Sequence, residues 1–89
     1  MQAVISVTGK DSVGIIAKVS QKCFENNVNI IDISQSVLKD YFAMIMLVEI
    51  DSLKVAFTDF VDMMNAIGKE NNLSIHTMHE DIFNSMHKI

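Results

Sequence analysis

The chain has 89 residues, 49% of them hydrophobic and 20% charged, and it contains no Pro, Trp or Arg. This length allows one small domain and excludes a large enzyme with a deep cleft, and the hydrophobic content excludes a disordered tail. The formal net charge is −4 and the seven lysines are scattered, so we expect no direct binding to nucleic acid.

The first third of the sequence predicts a strand followed by a helix. Residues 2–8 are rich in β-branched side chains and end at Gly9, which is typical of a strand. After a turn, Asp11 or Ser12 is placed to cap the helix. An apolar stripe at helical spacing predicts the buried side of this helix. The stripe consists of Val13, Ile16, Ala17, Ser20, Cys23, Phe24 and Asn27.

The middle of the chain predicts a β-hairpin. Residues 28–38 and 41–50 are both rich in β-forming side chains, and two residues separate them. The second segment is apolar on both faces, which predicts a central strand that is covered on both sides. We interpret its Met44 and Met46 as core residues, with a place in an adaptable interface as the alternative.

The last third predicts a second helix, a fourth strand and a helical tail. Asp51-Ser52 is placed to cap the helix, which is expected to end at Gly68–Asn72. Residues 73–79 predict the strand, and residues 80–89 predict a short helix with one apolar side. The apolar stripe of the second helix consists of Leu53, Ala56, Phe57, Phe60, Met63, Met64 and Ile67.

The order of these elements predicts the fold class. A β-α-β-β-α-β sequence is the α+β, ferredoxin-like βαββαβ sandwich. Right-handed crossovers place both helices on one face of a four-stranded antiparallel sheet and leave the other face open. We predict a single domain, residues 1–89, with a core of residues 1–79 and a C-terminal helical tail of residues 80–89.

The remaining sequence signals concern the cellular setting. Cys23 lacks a partner for an internal disulfide and lies on a predicted buried stripe, so we expect a small buried hydrophobe. The N-terminal residues lack a signal-peptide pattern. The longest apolar run, residues 41–48, is far shorter than the ~20 residues that span a membrane. We therefore expect a cytoplasmic protein that does not bind membranes.

The sequence offers no catalytic constellation. His76 and His79 are three residues apart in a predicted strand and so point to opposite faces. The single cysteine has no His at a spacing that guarantees contact. We expect a non-catalytic protein without a cofactor. A metal site built from the histidines with Glu80 and Asp81 is the weaker alternative, because the usual ligand spacing is missing.

The most informative local segment runs from Gly9 to Ile15, where a predicted strand ends and a predicted helix begins. The free N–H groups of a helix N-terminus attract anions, so this segment is suited to a carboxylate. Gly14 lacks a side chain, which would let a ligand approach the backbone. An ordinary capped helix start explains the same residues equally well, and the spacing alone does not decide.

The segment VTGKDSVGIIAKVSQKCFENNVNIIDISQ resembles the first half of an ACT domain through its strand–G-x-D-x-x-G-I–helix–N-V-N-I-x-D-I pattern. The later YFAMIMLVEI is similar to the third strand of that domain. The final HEDIFNSMHKI is similar to the tail of short stand-alone ACT proteins of the UPF0237 type. This resemblance covers essentially the whole chain. It implies a βαββαβ fold that dimerises and often binds an amino acid at the subunit interface.

The resemblance also implies a set of ligand-binding residues. In ligand-binding relatives, the loop after the first strand holds the amino acid together with the start of the second strand of a neighbouring subunit. The loop group consists here of Gly9, Lys10, Asp11, Ser12, Gly14 and Ile15. The second group consists of Asn27, Val28, Asn29 and Ile30.

Two hypotheses of function follow. The first is a non-catalytic regulatory homodimer that binds an amino acid or similar small molecule and acts on an unidentified protein partner. The second is an interaction or dimerisation module without a ligand, whose open sheet face and tail bind another protein. In both, the apolar residues of 41–50 and of the tail exceed what two helices cover, which favours an obligate oligomer.

Overall fold

The structure, a computed structural model, describes residues 1–10 and 14–86, apart from the side chain of Leu38. The predicted order of elements is confirmed. The elements are β1 (Gln2–Gly9), α1 (Ile15–Glu25), β2 (Asn29–Leu38), β3 (Tyr41–Glu49), α2 (Phe57–Asn71), β4 (Ser74–His79) and α3 (Glu80–Met86).

The four strands form one antiparallel sheet in the order β2-β3-β1-β4. The central strands β1 and β3 pair along their whole length, from Gln2 opposite Glu49 to Gly9 opposite Phe42. The ferredoxin-like fold class is thus confirmed, with α1 and α2 on one face and α3 as the short C-terminal helix. The edge strands β2 and β4 each have one unpaired side.

The core lies between the sheet and the two long helices. Alternate residues of β1 and β3 point toward α1 and α2 because side chains alternate along a strand. These residues are Ala3, Ile5, Val7, Phe42, Met44, Met46 and Val48. The helices contribute Ile15, Val19, Cys23, Phe60, Met64 and Ile67. The core interpretation of Met44 and Met46 is confirmed, as both are almost completely buried.

Helix α1 differs from the predicted helix in its start and in its buried side. The stripe counted from Val13 predicts Gly14 inside the first helical turn. This is wrong, because α1 begins after Gly14, which caps it in the left-handed conformation at φ 73. Glycine adopts this conformation without steric cost. Ala17 and Phe24 are exposed, because the buried positions Ile15 and Val19 define a stripe rotated from the predicted one. The predicted caps at residues 11 and 12 lie outside the described residues.

Helix α2 begins later than the sequence predicts. It starts after Ala56, and residues 51–56 form a loop. The N–H of Lys54 donates to the carbonyl of Asn26 at 3.1 Å, which ties this loop to the end of α1. The backbone at residue 54 therefore makes a tertiary contact that the helical prediction from Asp51-Ser52 did not include.

The sheet face away from α1 and α2 is called the open face. Tyr41 and Ile45 of β3 point to it and are 58% and 47% exposed, so the predicted cover on both sides of β3 is absent in the single chain. Val4 also points to this face but is only 5% exposed. Because α3 contacts β1 and β4, it covers the corner of the open face around Val4.

Candidate functional site

The loop group begins at the end of β1, where Gly9 meets the end of α2. A Cβ on Gly9 would collide with the side chain of Leu73 and would lie 3.5 Å from the carbonyl oxygen of Asn72. This close approach explains why position 9 holds a glycine, independently of any ligand. It also brings the α2–β4 connection next to the start of the loop.

The start of α1 presents backbone N–H groups. The first intrahelical bond runs from the N–H of Lys18 to the carbonyl of Gly14 at 3.1 Å, so the preceding amides of Ile15, Ile16 and Ala17 have no intrahelical acceptor. A Cβ on Gly14 would meet no atom of the described residues within 4 Å, its chain neighbours apart, so the rest of the described fold leaves the helix start open. The Ile15 side chain is buried in the core, so this residue can reach a ligand only through its N–H.

A cavity of about 550 Å³ lies beside the loop and is lined by Gly9, Lys10, Asn71 and Asn72. The amide oxygen of Asn71 accepts a hydrogen bond from Lys18 Nζ at 2.6 Å. The sequence analysis missed both asparagines. The sequence predicts Asn72 only as part of a helix end, and no local signal places it beside a glycine more than sixty positions earlier.

Lys10 points away from the helix start. Its ammonium lies 5.8 Å from the ring centroid of Tyr41, on the open face. A cation above an aromatic ring is attracted by the ring quadrupole. In this conformation the lysine is part of the open face, and the backbone amides of α1 are the anion-attracting groups of the loop. The predicted residues Asp11 and Ser12 lie outside the described residues.

The second group lies between α1 and β2. Asn27 adopts a left-handed conformation with φ 60, and the N–H of Val28 donates to the carbonyl of Cys23 at 2.8 Å. Val28 is buried and Ile30 packs partly against the core, whereas Asn27 and Asn29 are exposed. A second cavity of about 370 Å³ is lined by Phe24, Asn27, Val28, Asn29 and Ser52.

The two groups occupy opposite ends of the sheet. Asn29 is level with Glu49 and Gln2, whereas Gly9 is level with Phe42 at the other end of the same strands. Seven residues of strand separate these levels, which corresponds to about 23 Å at ~3.3 Å per residue. Within a single chain the described members of each group therefore lie together, but the two groups do not.

Metal-binding and nucleophilic groups are sparse in the described parts of the chain. No three of their His, Cys, Asp and Glu side chains are close enough to hold a metal ion. His76 pairs with Ser6 and His79 with Ala3, so the two histidines face opposite sides of the sheet, as predicted. Burial raises the pKa of the Cys23 thiol to about 11, which keeps it in the unreactive protonated form. None of the described helices is long and apolar enough to cross a bilayer.

Comparison with known proteins identifies the family. The sequence profile of the ACT domain matches residues 1–77. The chain belongs to the ACT domain family. It is 48% identical to a UPF0237 protein of Clostridium perfringens over 89 residues, which cover 100% of both chains. It is 44% identical to a UPF0237 protein of Methanocaldococcus jannaschii over 88 residues, which cover 99% of this chain and 98% of that protein.

The solved structures agree with this assignment. The ACT domain protein from Streptococcus pneumoniae superimposes with a TM-score of 0.81 and 43% identity, covering 93% of each chain. The resemblance to the stand-alone UPF0237 type is thus confirmed. ACT domains are generally regulatory modules that bind small molecules.

Proposed function

We propose that this ACT domain is a non-catalytic, homodimeric regulatory module that binds an amino acid between the α1 start of one subunit and the β2 start of the other. The observation that carries the proposal is the separation of the two candidate groups. They lie about 23 Å apart in one chain at ~3.3 Å per strand residue, and each group borders its own cavity. A second subunit is needed to place one group beside the other.

The α1 start is suited to the carboxylate of an amino acid. The amides of Ile15, Ile16 and Ala17 point out of the helix, and the helix dipole adds positive potential there. Because the sequence contains no Arg, a bidentate guanidinium contact is absent and backbone amides carry the anion contact. The described residues other than its chain neighbours leave the space beside the Gly14 Cα free, which supports approach of the carboxylate.

The β2 start is suited to the ammonium of the same ligand. Asn27 and Asn29 carry amide oxygens that accept hydrogen bonds, and both side chains are exposed beside their cavity. A two-fold axis that reverses the strand direction brings the Gly9 end of one subunit beside the Asn29 end of its partner. Such a dimer contains two equivalent composite sites.

The unpaired Cys23 fits a reducing, cytoplasmic setting.

A thermal-shift screen of the purified protein against the common amino acids tests the proposal. A ligand at about 100 times its Kd adds about 2.7 kcal/mol to the free energy of unfolding, which raises Tm by on the order of 10 °C in a domain of this size. We expect a shift with one chemical class of amino acid and a dimeric mass by light scattering. Either the absence of any shift or a monomeric mass at micromolar concentration would overturn the proposal.

A variant at the helix start locates the ligand. In Gly14→Asn the new side chain fills the space above the amides, and Asn tolerates positive φ, as Asn27 and Asn72 do in this chain. We expect the amino-acid shift to disappear while the Tm without ligand and the mass stay near those of the wild type. Asn65→Ala, on the exposed side of α2, is the matched control and should retain the shift. A full shift in Gly14→Asn would show that the ligand binds elsewhere.

The exposed apolar residues of the open face favour a second candidate function. Tyr41 and Ile45 are about half exposed, and Ile82 of α3 is 56% exposed. In this alternative the chain is an interaction module without a ligand, and the loop is only a helix start. A pull-down in which Ile45→Lys loses a protein partner, together with a flat amino-acid screen, would support it.

A further inference from the structure

The cavity at the β2 start contains an exposed aromatic ring. Phe24, on the last turn of α1, is 77% exposed and lines the cavity of about 370 Å³ together with Asn27, Val28, Asn29 and Ser52. Val28 is buried and the other three residues are polar. The Phe24 ring is therefore the large apolar group that a ligand in this cavity meets.

The end of α1 holds this ring outside the core. Cys23 is fully buried, and the next residue along a helix is rotated from it by about 100°, which turns Phe24 to the flank of α1. The N–H of Val28 donates to the carbonyl of Cys23 at 2.8 Å, and the N–H of Asn27 donates to the carbonyl of Phe24 at 3.2 Å. These bonds turn the chain back after α1, so Asn27 and Asn29 lie beside the ring in the same cavity.

The fold gains little from the Phe24 side chain. At 77% exposure it leaves most of its surface in water and forgoes the burial that makes an aromatic residue favourable. Exposed apolar residues that stand alone are common on protein surfaces. This one instead borders a cavity that also holds the amide groups of Asn27 and Asn29. An apolar wall beside a few polar groups that fix orientation is the usual composition of a small-molecule pocket.

The charges around the cavity are already paired within the chain. Glu25 Oε1 lies 3.2 Å from Lys22 Nζ, and the Met1 ammonium binds Glu49 at 3.0 Å and Asp51 at 2.7 Å. The five described residues that line the cavity are themselves uncharged. A charged ligand side chain would lose hydration there without an opposite charge in the lining, which is costly. An apolar side chain would only leave water, which is favourable.

We infer that the amino-acid site takes ligands with an uncharged, apolar side chain, such as leucine or phenylalanine, and that Phe24 is the residue that selects them. This inference rests on the proposed function, because it adds a side-chain contact to a ligand whose ammonium is bound by Asn27 and Asn29. The ligand side chain packs on the Phe24 ring of the subunit that binds the ammonium. The ligand carboxylate binds the α1 start of the other subunit.

Calorimetric titration of the full chain with L-leucine, L-phenylalanine, L-serine, L-aspartate and L-lysine tests the inference. We expect the wild type to bind at least one of the two apolar amino acids roughly tenfold more tightly than the other three. Phe24→Ala should weaken binding of that ligand roughly tenfold, on the scale of one aromatic contact, and leave the weak affinity for serine nearly unchanged.

Ile82→Ala is the matched control for the loss of an exposed apolar side chain. Ile82 is 56% exposed on α3, which packs on β1 and β4, and β4 is the sheet edge opposite β2. We expect this variant to bind every amino acid as the wild type does. Far-UV circular dichroism should show that Phe24→Ala and Ile82→Ala are both folded.

Phe24→Leu separates two ways in which the ring could act. A ring also attracts cations, and the ammonium is common to all amino acids, so a contact of that kind would make Phe24→Leu weaken leucine and serine alike. Apolar packing predicts that Phe24→Leu keeps the preference for the apolar ligand. The mass by light scattering should match the wild type in all variants, because Phe24 contacts the ligand rather than the other chain. Equal weakening in Phe24→Leu, or a dimer lost in Phe24→Ala, contradicts the inference.

The remaining outcomes distinguish this inference from the proposed function. Equal or tighter binding of serine, aspartate or lysine by the wild type overturns the inference and leaves the proposed function standing. An apolar preference that persists unchanged in Phe24→Ala does the same. The absence of any amino-acid shift in the wild type overturns both.

Discussion

The side chain of Leu73 packs against the backbone of Gly9, so the end of α2 is held against the end of β1. The N–H of Leu73 also donates to the carbonyl of Gly68 at 2.8 Å, which closes the last turn of α2. One residue thus connects the helix end, the start of β4 and the strand that precedes the candidate loop. The loop is anchored on packed structure at its strand end.

Two glycines on either side of Leu73 should respond differently to the addition of a methyl group. In Gly68→Ala the new Cβ lies 2.7 Å from the backbone oxygen of Leu73, which cannot rotate away. In Gly9→Ala the obstacle is the flexible end of the Leu73 side chain. We expect Gly68→Ala to lower the free energy of unfolding by about 1–3 kcal/mol and Gly9→Ala to lower it less. Urea denaturation measures both, and the reverse order would contradict this packing.

Two phenylalanines provide a matched pair for the core. Phe60 is fully buried between α2 and the sheet, whereas Phe24 on α1 is 77% exposed. Truncation of a buried Phe removes its transfer free energy and leaves a cavity, so we expect Phe60→Ala to cost about 3–5 kcal/mol. Phe24→Ala should change the free energy of unfolding by less than about 0.5 kcal/mol. Equal losses in urea denaturation would contradict the placement of α1 on the sheet.

The comparison of these two residues shows what local patterns can predict. The strand boundaries were predicted to within a residue or two, because β-branched runs and the breaks between them are local signals. The buried side of α1 was predicted incorrectly. The predicted stripe was counted from Val13, and each residue of offset rotates the buried side by about 100°. Phe24 was therefore placed inside although it lies outside.

The candidate site was predictable in its residue types but not in its arrangement. The family pattern supplied Gly9, Gly14, Asn27 and Asn29. The position of Asn72 beside Gly9 depends on how α2 crosses the sheet, and no spacing in the sequence contains that information. The separation of the two groups likewise follows from strand register, which is a tertiary property.

The thiol of Cys23 should report global unfolding. It is fully buried, and burial raises its pKa to about 11, so both access and ionisation disfavour reaction in the folded state. We expect no reaction with a thiol reagent at neutral pH until urea unfolds the chain. Ala17→Cys, on the exposed side of α1, is the positive control and should react at once. Fast labelling of Cys23 in the wild type would show that α1 opens independently of the core.

The N-terminal ammonium makes stability depend on pH at both ends of the range. It donates to Glu49 Oε1 at 3.0 Å and to Asp51 Oδ1 at 2.7 Å. The hydrogen bond to Asp51 and then that to Glu49 raise the pKa of the ammonium above 8.0, and the ammonium lowers the pKa of Asp51 below 3.8. The ammonium, whose pKa is raised, stabilises the fold below pH 8.0 and loses this effect as pH rises through its folded pKa. The Asp51 carboxylate, whose pKa is lowered, stabilises the fold above pH 3.8 and loses this effect as pH falls through its folded pKa.

We therefore expect the contribution of this ion pair to be greatest between about pH 4 and 8 and to be small, because both groups are exposed and screened by solvent. Urea denaturation as a function of pH measures it. Asp51→Asn should remove most of this pair's contribution to the fall in the free energy of unfolding at acidic pH. Acetylation of the Met1 amino group should remove the change on the alkaline side. If the free energy of unfolding still changes at alkaline pH after acetylation, other groups cause that change.

The distance between the Asn29 end and the Gly9 end of the sheet has a consequence for how a cell would use this module. In the proposed dimer the composite site exists only while two chains are associated, so its occupancy depends on the amount of the chain as well as on the amount of ligand. When the chain concentration is below the dissociation constant of the dimer, a higher ligand concentration is needed to fill the site, because ligand binding must also drive the two chains together. At higher chain concentrations each bound ligand would also hold two chains together. The occupied fraction would therefore depend jointly on gene dosage and on metabolite supply.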